Sequence, residues 1–262
     1  MKTLFLLLSV VGSMGLFLFG LKLMSESLQK ILGDKLRFIL TTMSSNKLRG
    51  VLTGILIAVL LQSSSATTVI VVSFVNAGMI RLGEAIAIIM GANIGTTITA
   101  WIISVLGFQL NLTAILFPMV GLVIPLAFSK KRNLRTYGEA IIGLVILLIS
   151  ISFIKQIIPI YSDCIFAKFI QEVGDFYYGS AILFFAVGVL VAFAIRSSNA
   201  SFLLTLTLYY NGWLPFELAV AMILGANVGT TINGVLAARI ANTAAKRSAL
   251  ANLLFNLIGA IW

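Results

Sequence analysis

Gln62-Ser63-Ser64-Ser65-Ala66 is followed, some way along the chain, by Gly91-Ala92-Asn93-Ile94-Gly95-Thr96-Thr97. Arg196-Ser197-Ser198-Asn199-Ala200 is followed by Gly225-Ala226-Asn227-Val228-Gly229-Thr230-Thr231, and the step from Arg196 to Gly225 equals the step from Gln62 to Gly91. Both motifs therefore recur at one and the same offset, and without a gap 13 of the 36 positions from Gln62 to Thr97 match Arg196 to Thr231. Apolar bias can align Leu with Val by chance. It cannot place the pattern Gly-Ala-Asn-x-Gly-Thr-Thr twice at a fixed distance. A repeat of this length defines the architecture before any local pattern is considered, so the chain reads as a duplication.

The repeat is embedded in apolar sequence. Of 262 residues, 60% are hydrophobic and only 10% are charged, against roughly 25% charged in a soluble domain. No charge interrupts residues 3–21, 50–80, 85–129, 176–195, 197–216 or 218–238. Runs of about 20 apolar residues are the signature of membrane-spanning helices. The expected fold is therefore an all-α polytopic membrane protein. Lys2 before the first apolar run suggests a signal peptide, but the run is too long and no small-residue cleavage site leads into a soluble domain. With no His and one Cys, Cys164, disulfides, Cys/His zinc sites and His-dependent nucleophilic catalysis are excluded. The remaining carboxylates flank the apolar spans and no nucleotide-binding loop is present, so the chain does not read as an enzyme. The net charge of +10 fits basic cytoplasmic loops that set orientation rather than a nucleic-acid surface.

The charges also orient the two copies. Residues 30–49 hold Lys30, Lys35, Arg37, Lys47 and Arg49 against Asp34, a net +4, whereas the matching stretch 163–183 holds Lys168 against Asp163, Glu172 and Asp175, a net −2. After the second motif the bias reverses: residues 106–112 are uncharged, while 239–247 carry Arg239, Lys246 and Arg247. Counting positive charges as cytoplasmic puts 30–49, the basic loop 130–135 and 239–247 inside. Residues 50–80 must then begin and end on the same side, as a re-entrant hairpin whose arms of about fifteen residues are each too short to span. The expected division is a first repeat at 1–128 with its hairpin at about 50–80, a basic cytoplasmic loop at 129–138, and a second repeat of inverted topology at 139–262 with its hairpin at about 179–213. Each repeat is expected to contain a broken transmembrane helix at its Gly-Ala-Asn-x-Gly-Thr-Thr. Lys22, Glu26 and residues 27–40 read as an interfacial helix. Residues 246–262 read as the start of a spanning helix, which predicts that the chain stops short of a full span.

These residue types suit an anion and its cations. Irregular backbone at membrane depth survives only where it is buried in protein or lines a wet cavity. Ser63, Ser64 and Ser65 at a hairpin tip present hydroxyls, with free backbone N–H groups at the start of the returning arm, and a helix N-terminus attracts anions. In the second motif the glycines permit unwinding, while Asn93, Thr96 and Thr97 supply oxygens. Discontinuous segments at corresponding positions of inverted halves point to a transporter binding site. Chemistry alone stops at a small oxyanion or carboxylate.

The segments 62–68, 91–97 and 225–231, with Gly15-Leu16-Phe17-Leu18-Phe19-Gly20 and Met24-Ser25-Glu26, resemble the type II sodium–phosphate cotransporter family over essentially the whole chain. The resemblance implies sodium-coupled symport of inorganic phosphate into the cell by alternating access, in the plasma (inner) membrane, with sodium as a co-transported ligand and no cofactor. By that likeness the phosphate and sodium contacts are Gln62, Ser63, Ser64, Ser65, Thr67, Asn93, Thr96 and Thr97 in the first half. In the second half they are Arg196, Ser197, Ser198, Asn199, Asn227, Thr230 and Thr231. A homodimer and a PhoU-like cytoplasmic domain or protein are partners that the family suggests. The second tip departs from the family's Gln-Ser-Ser-Ser by reading Arg196-Ser197-Ser198-Asn199. Arg196 is expected to occupy the place of a bound cation or to contact the anion; the other reading is an arginine at the hairpin base reaching for the interface. Another small oxyanion, or phosphate sensing without transport, are the rival functions.

Overall fold

A computed structural model describes residues 2–32, 38–39, 46–109, 113–160, 170 and 177–262. The elements in order are α1 (Lys2–Leu32), α2 (Lys47–Leu61), α3 (Ser64–Asn76) and α4 (Leu82–Ile102), which runs on into a π-helical segment, Ile103–Gln109. They continue with α5 (Thr113–Ala127), α6 (Arg132–Ile160), α7 (Tyr177–Ile195), α8 (Ser198–Tyr210), α9 (Phe216–Ala237), a 3-10 turn (Ala238–Ile240) and α10 (Thr243–Ile261). No strand occurs among the described residues, so the all-α expectation stands. Among the described residues, four stretches are long and apolar enough to span a membrane: Leu7–Leu32, Leu82–Val105, Arg132–Ile157 and Phe216–Ile240. At 1.5 Å per residue, the 13 residues of α3 cover roughly 20 Å, well short of the ~30 Å hydrocarbon core.

Each half contains a helical hairpin, built in the same way. Gln62 (φ 53°) and Arg196 (φ 60°) take the left-handed conformation that reverses the chain. The next residue is extended and caps the returning arm: Ser63 Oγ accepts from Ala66 N (3.1 Å) and Ser197 Oγ from Ala200 N (3.2 Å). Both returning arms end on a left-handed glycine, Gly78 and Gly212, each at φ 70°. Met79 N then donates to Phe74 O and Trp213 N to Leu208 O, closing the same C-terminal motif twice. Glycine is needed at these turns because a Cβ there is strained.

The expected broken helices do not occur. α4 runs unbroken through 91–97 and α9 through 225–231. The reason is visible at the glycines. A Cβ on Gly91 would lie on Val51 O, one on Gly95 against Ile55 O, and one on Gly54 on Ile88 O. In the second half, Gly225 meets Phe185 O, Gly229 meets Val189 O and Gly188 meets Met222 O. These glycines therefore admit the backbone of the entering arm, α2 or α7, into direct contact with the long helix. That is the small-residue packing of membrane helices, and it leaves the helical hydrogen bonds intact.

Contacts at the tips and bases of the hairpins help to fix how the halves meet. The hairpin tips touch, with Asn199 Nδ2 donating to Gln62 O at 3.0 Å. The base of the first hairpin lies beside the end of α9: Asn242 N donates to Asn76 Oδ1 (2.7 Å) and Asn242 Nδ2 to Asn76 O (3.1 Å). The base of the second lies beside the end of α4, where Phe108 stacks on Tyr210 with ring centroids 4.8 Å apart. α4 thus runs from the base of the first hairpin to the base of the second, and α9 runs the other way. α1 and α6 cross at Gly20 and Gly143, where a Cβ on either would strike the other helix's backbone. Around this frame lie two apolar cores. One gathers Phe17, Ile151 and Leu203, the other Ile57, Leu61 and Ile88. The outer surface exposes Phe5, Val11, Leu52, Trp101, Leu122 and Ile182, as a lipid-facing surface requires.

The halves are not equivalent everywhere. α10 packs on α3, α4 and α9, whereas α5, its counterpart by position, packs on α6. Residues 27–32, expected to open an interfacial helix, continue α1. Most of the stretch read as its remainder lies outside the described residues.

Candidate functional site

The reversals at Gln62 and Arg196 bring the N-termini of α3 and α8 to one cavity of about 410 Å³. Gln62, Ser63, Ser65, Arg196, Ser197, Ser198 and Asn199 line it from the two tips. Each helix N-terminus has N–H groups without an intrahelical acceptor and the positive end of a helix dipole. Where two of them face one cavity, an anion is the complementary ligand.

The remaining wall is α1. Lys22, Ser25, Glu26 and Gln29 line the cavity at the i, i+3, i+4, i+7 spacing of one helix face. Ser25 Oγ donates to Leu61 O at 2.6 Å and Gln29 Nε2 to Ser25 Oγ at 3.2 Å. The first of these bonds ties α1 to an otherwise free carbonyl at the end of α2. Lys22 Nζ lies 3.7 Å from Glu26 Oε1. At the tips the two corresponding residues behave differently. Gln62 Nε2 turns back to cap Val59 O at 2.7 Å. Arg196 has no carboxylate within ion-pair distance among the described residues. It sits at the tip, which removes the reading of an arginine at the hairpin base.

A second cavity, about 340 Å³, lies on the far side of the α8 tip, lined by Asn93, Thr96, Thr97, Ser104, Asn227 and Trp101 among others. Ser198 and Asn199 line both cavities, so the first turn of α8 is the wall between them. No charged side chain lines the smaller one. Thr96 Oγ1 donates to Ala92 O (3.0 Å) and Thr97 Oγ1 to Ile94 O (2.7 Å), which leaves the hydroxyl oxygens available as acceptors. Amide and hydroxyl oxygens without a net charge suit a hard monovalent cation better than an anion.

Not every expected residue lines a cavity. Ser64, Thr67, Thr230 and Thr231 are buried and line neither. Thr67 bonds Ser63 O (2.9 Å), Thr230 bonds Asn227 O (3.0 Å) and Thr231 bonds Val228 O (2.7 Å), so these hydroxyls satisfy their own helices. Conversely, the sequence reading missed Ser25 and Gln29, and it assigned Lys22 and Glu26 to an interface. The four-residue spacing on α1 was the signal available. It also missed Asn252 and Asn256 of α10. Asn93 Nδ2 donates to Asn252 Oδ1 (2.8 Å), Asn256 Nδ2 to Asn93 Oδ1 (3.2 Å), and Asn252 Nδ2 to Thr68 Oγ1 (3.3 Å). This amide network holds Asn93 from behind.

The sequence is similar to known proteins. Residues 16–156 and 167–262 match the family described as Na+/Pi-cotransporter. The Escherichia coli (strain K12) protein named for inorganic phosphate export, YjbB, is 31% identical over 255 residues, which cover 97% of this chain and 46% of that protein. This chain therefore spans under half the length of that relative. Bacillus subtilis YqeW, named as uncharacterized, is 28% identical over 97% of this chain and 80% of its own length. Human sodium-dependent phosphate transport protein 2B is 40% identical over 103 residues, 38% of this chain and 15% of that protein. No solved structure matches the chain. With its apolar spans, this likeness makes the chain a multi-pass protein of the plasma membrane. By matches that cover nearly all its length, the chain belongs to the Na+/Pi-cotransporter family.

Proposed function

We propose that the chain carries inorganic phosphate across the membrane by alternating access and binds it in the 410 Å³ cavity between the hairpin tips. The observation that supports this most is the convergence of two helix N-termini, Lys22 and Arg196 on one space. Sodium is the co-transported ion in this reading, held by the oxygens of the neutral cavity around Asn93, Thr96, Thr97, Ser198, Asn199 and Asn227. Accumulating an anion inside a negative cell requires such cations, which favours inward symport. In the membrane the first and second repeats act as inverted halves. The basic segments 30–49, 130–135 and 239–247 lie on the cytoplasmic side, where a PhoU-like partner would dock; the expected loop at 129–138 is largely the first turns of α6, which begins at Arg132. No catalytic role is assigned.

A second reading is export, favoured by the name of the Escherichia coli relative. Radiolabelled phosphate flux in proteoliposomes separates the two. Uptake driven by an inward sodium gradient, reduced by Ser65→Ala, is the expected result, and Asn93→Ala should raise the sodium concentration needed. Flux that runs only outward, or ignores the sodium gradient, overturns inward symport. Equal inhibition by sulfate would replace phosphate with a broader oxyanion substrate. Binding without any flux would favour a sensor.

A further inference from the structure

The two tips differ in one residue that changes the charge of the anion cavity. Gln62 and Arg196 occupy the same left-handed position. Gln62 donates its amide to Val59 O of its own arm. Arg196 lines the cavity without a carboxylate partner among the described residues. Lys22 lines it as well, and its ion pair with Glu26 is loose: 3.7 Å, with the side chains 73% and 52% exposed. Such exposed pairs hold their partners weakly. The lining thus carries two cations, Lys22 and Arg196, against one carboxylate, Glu26, while the neighbouring cavity carries no charge.

We propose that Lys22 and Arg196 are resident counter-cations for phosphate, so that the anion binds this chain without a sodium ion beside it. The inference rests on the cavity being the phosphate site and adds where the neutralising charge comes from. Phosphate receives backbone N–H groups from the starts of α3 and α8. The planar Arg196 guanidinium matches two phosphate oxygens, and Lys22 contributes a point charge released from Glu26. The Arg196 side chain is exposed on the cavity lining, so a phosphate anion can reach it and supply the charge partner it lacks. Sodium then serves translocation, through the neutral cavity, and not the initial capture of the anion. Glu26 competes with phosphate for Lys22, so it limits affinity.

The test is calorimetric titration of inorganic phosphate into the purified protein, in sodium buffer and in sodium-free N-methylglucamine buffer. The wild type is expected to bind in both buffers with similar affinity. Arg196→Gln, which gives the second tip the first tip's residue, should weaken sodium-free binding about tenfold or more, the worth of a charge-assisted bond. Sodium should restore part of that loss. Lys22→Gln should weaken binding by a smaller factor. Glu26→Gln should tighten sodium-free binding, a gain that misfolding cannot produce. Wild-type binding that appears only with sodium, yet is weakened by Ser65→Ala, overturns the resident cations and leaves the cavity as the phosphate site. Unchanged affinity in both Arg196→Gln and Lys22→Gln overturns the inference as well. No binding in either buffer overturns the phosphate site and the inference together.

Discussion

The first hairpin tip and the second share a skeleton and differ in their chemistry. Both reverse through a left-handed non-glycine residue, cap with serine, end on a left-handed glycine, and key their entering arm into a long helix. At the four tip positions, however, Gln62 corresponds to Arg196 and Ser65 to Asn199. Gln62 caps its own arm, whereas Asn199 reaches across to the other tip. The difference teaches that the duplication preserves what folds the hairpin while varying two of the side chains that line the cavity between the tips. The same holds one layer out. Asn93 is tied to Asn252 and Asn256 of α10, while the positions of α5 that correspond to those two asparagines are Pro118 and Leu122.

The largest expected effect tests the shared skeleton. Gly54→Val and Gly188→Val each drive a side chain into a backbone carbonyl of the facing long helix, and each should destabilise by about 3 kcal/mol, the upper end for overpacking. Thermal unfolding in detergent should report similar losses; a loss at only one position breaks the equivalence of the halves. Next comes a feature of one half alone. Asn252→Leu removes one partner each from Asn93 and Thr68 and should cost about 1–2 kcal/mol, with a raised sodium requirement in flux assays, because Asn93 loses part of its support. A stability loss without any change in sodium dependence would leave Asn93 a purely structural residue.

The caps are a finer test. Ser63→Ala and Ser197→Ala each leave Ala66 N or Ala200 N without its acceptor and should cost about 1 kcal/mol apiece. The smallest effect separates the tips again. Gln62→Gly and Arg196→Gly both relieve a strained left-handed residue, and each should shift stability by no more than about 1 kcal/mol. Only Arg196→Gly should also weaken phosphate binding in titration. Equal weakening by both would mean that the tips contribute alike.

Much of this was readable from the sequence because periodic and repeated features survive without coordinates. The constant offset between the two copies located both hairpins, and the triple serine and its partner located both helix starts. What failed was a property that one residue type serves in two ways. Glycine lets a helix unwind, and it also lets a neighbour's backbone approach. Nothing in Gly91 or Gly225 alone tells which, and only the carbonyls of Val51 and Phe185 lying over them decide for packing. The α1 face was missed for a different reason. Lys22, Ser25, Glu26 and Gln29 have no duplicated pattern to mark them, and a charged end on an apolar helix resembles an interfacial anchor. Asn252 and Asn256 lay in a stretch read only for its length. Their meaning depends on contacts with Asn93, which lies far away in sequence.

The glycine crossings also have a mechanical side. At each crossing a carbonyl of one helix lies in the notch left by a missing side chain on the other, three times along α2 and α4 and three times along α7 and α9. Meshed in this way, like the teeth of a rack, an entering arm cannot slide along its long helix without first lifting out of every notch. Arm and helix are therefore held as one unit, and the two units meet at the tips, where Asn199 bonds Gln62.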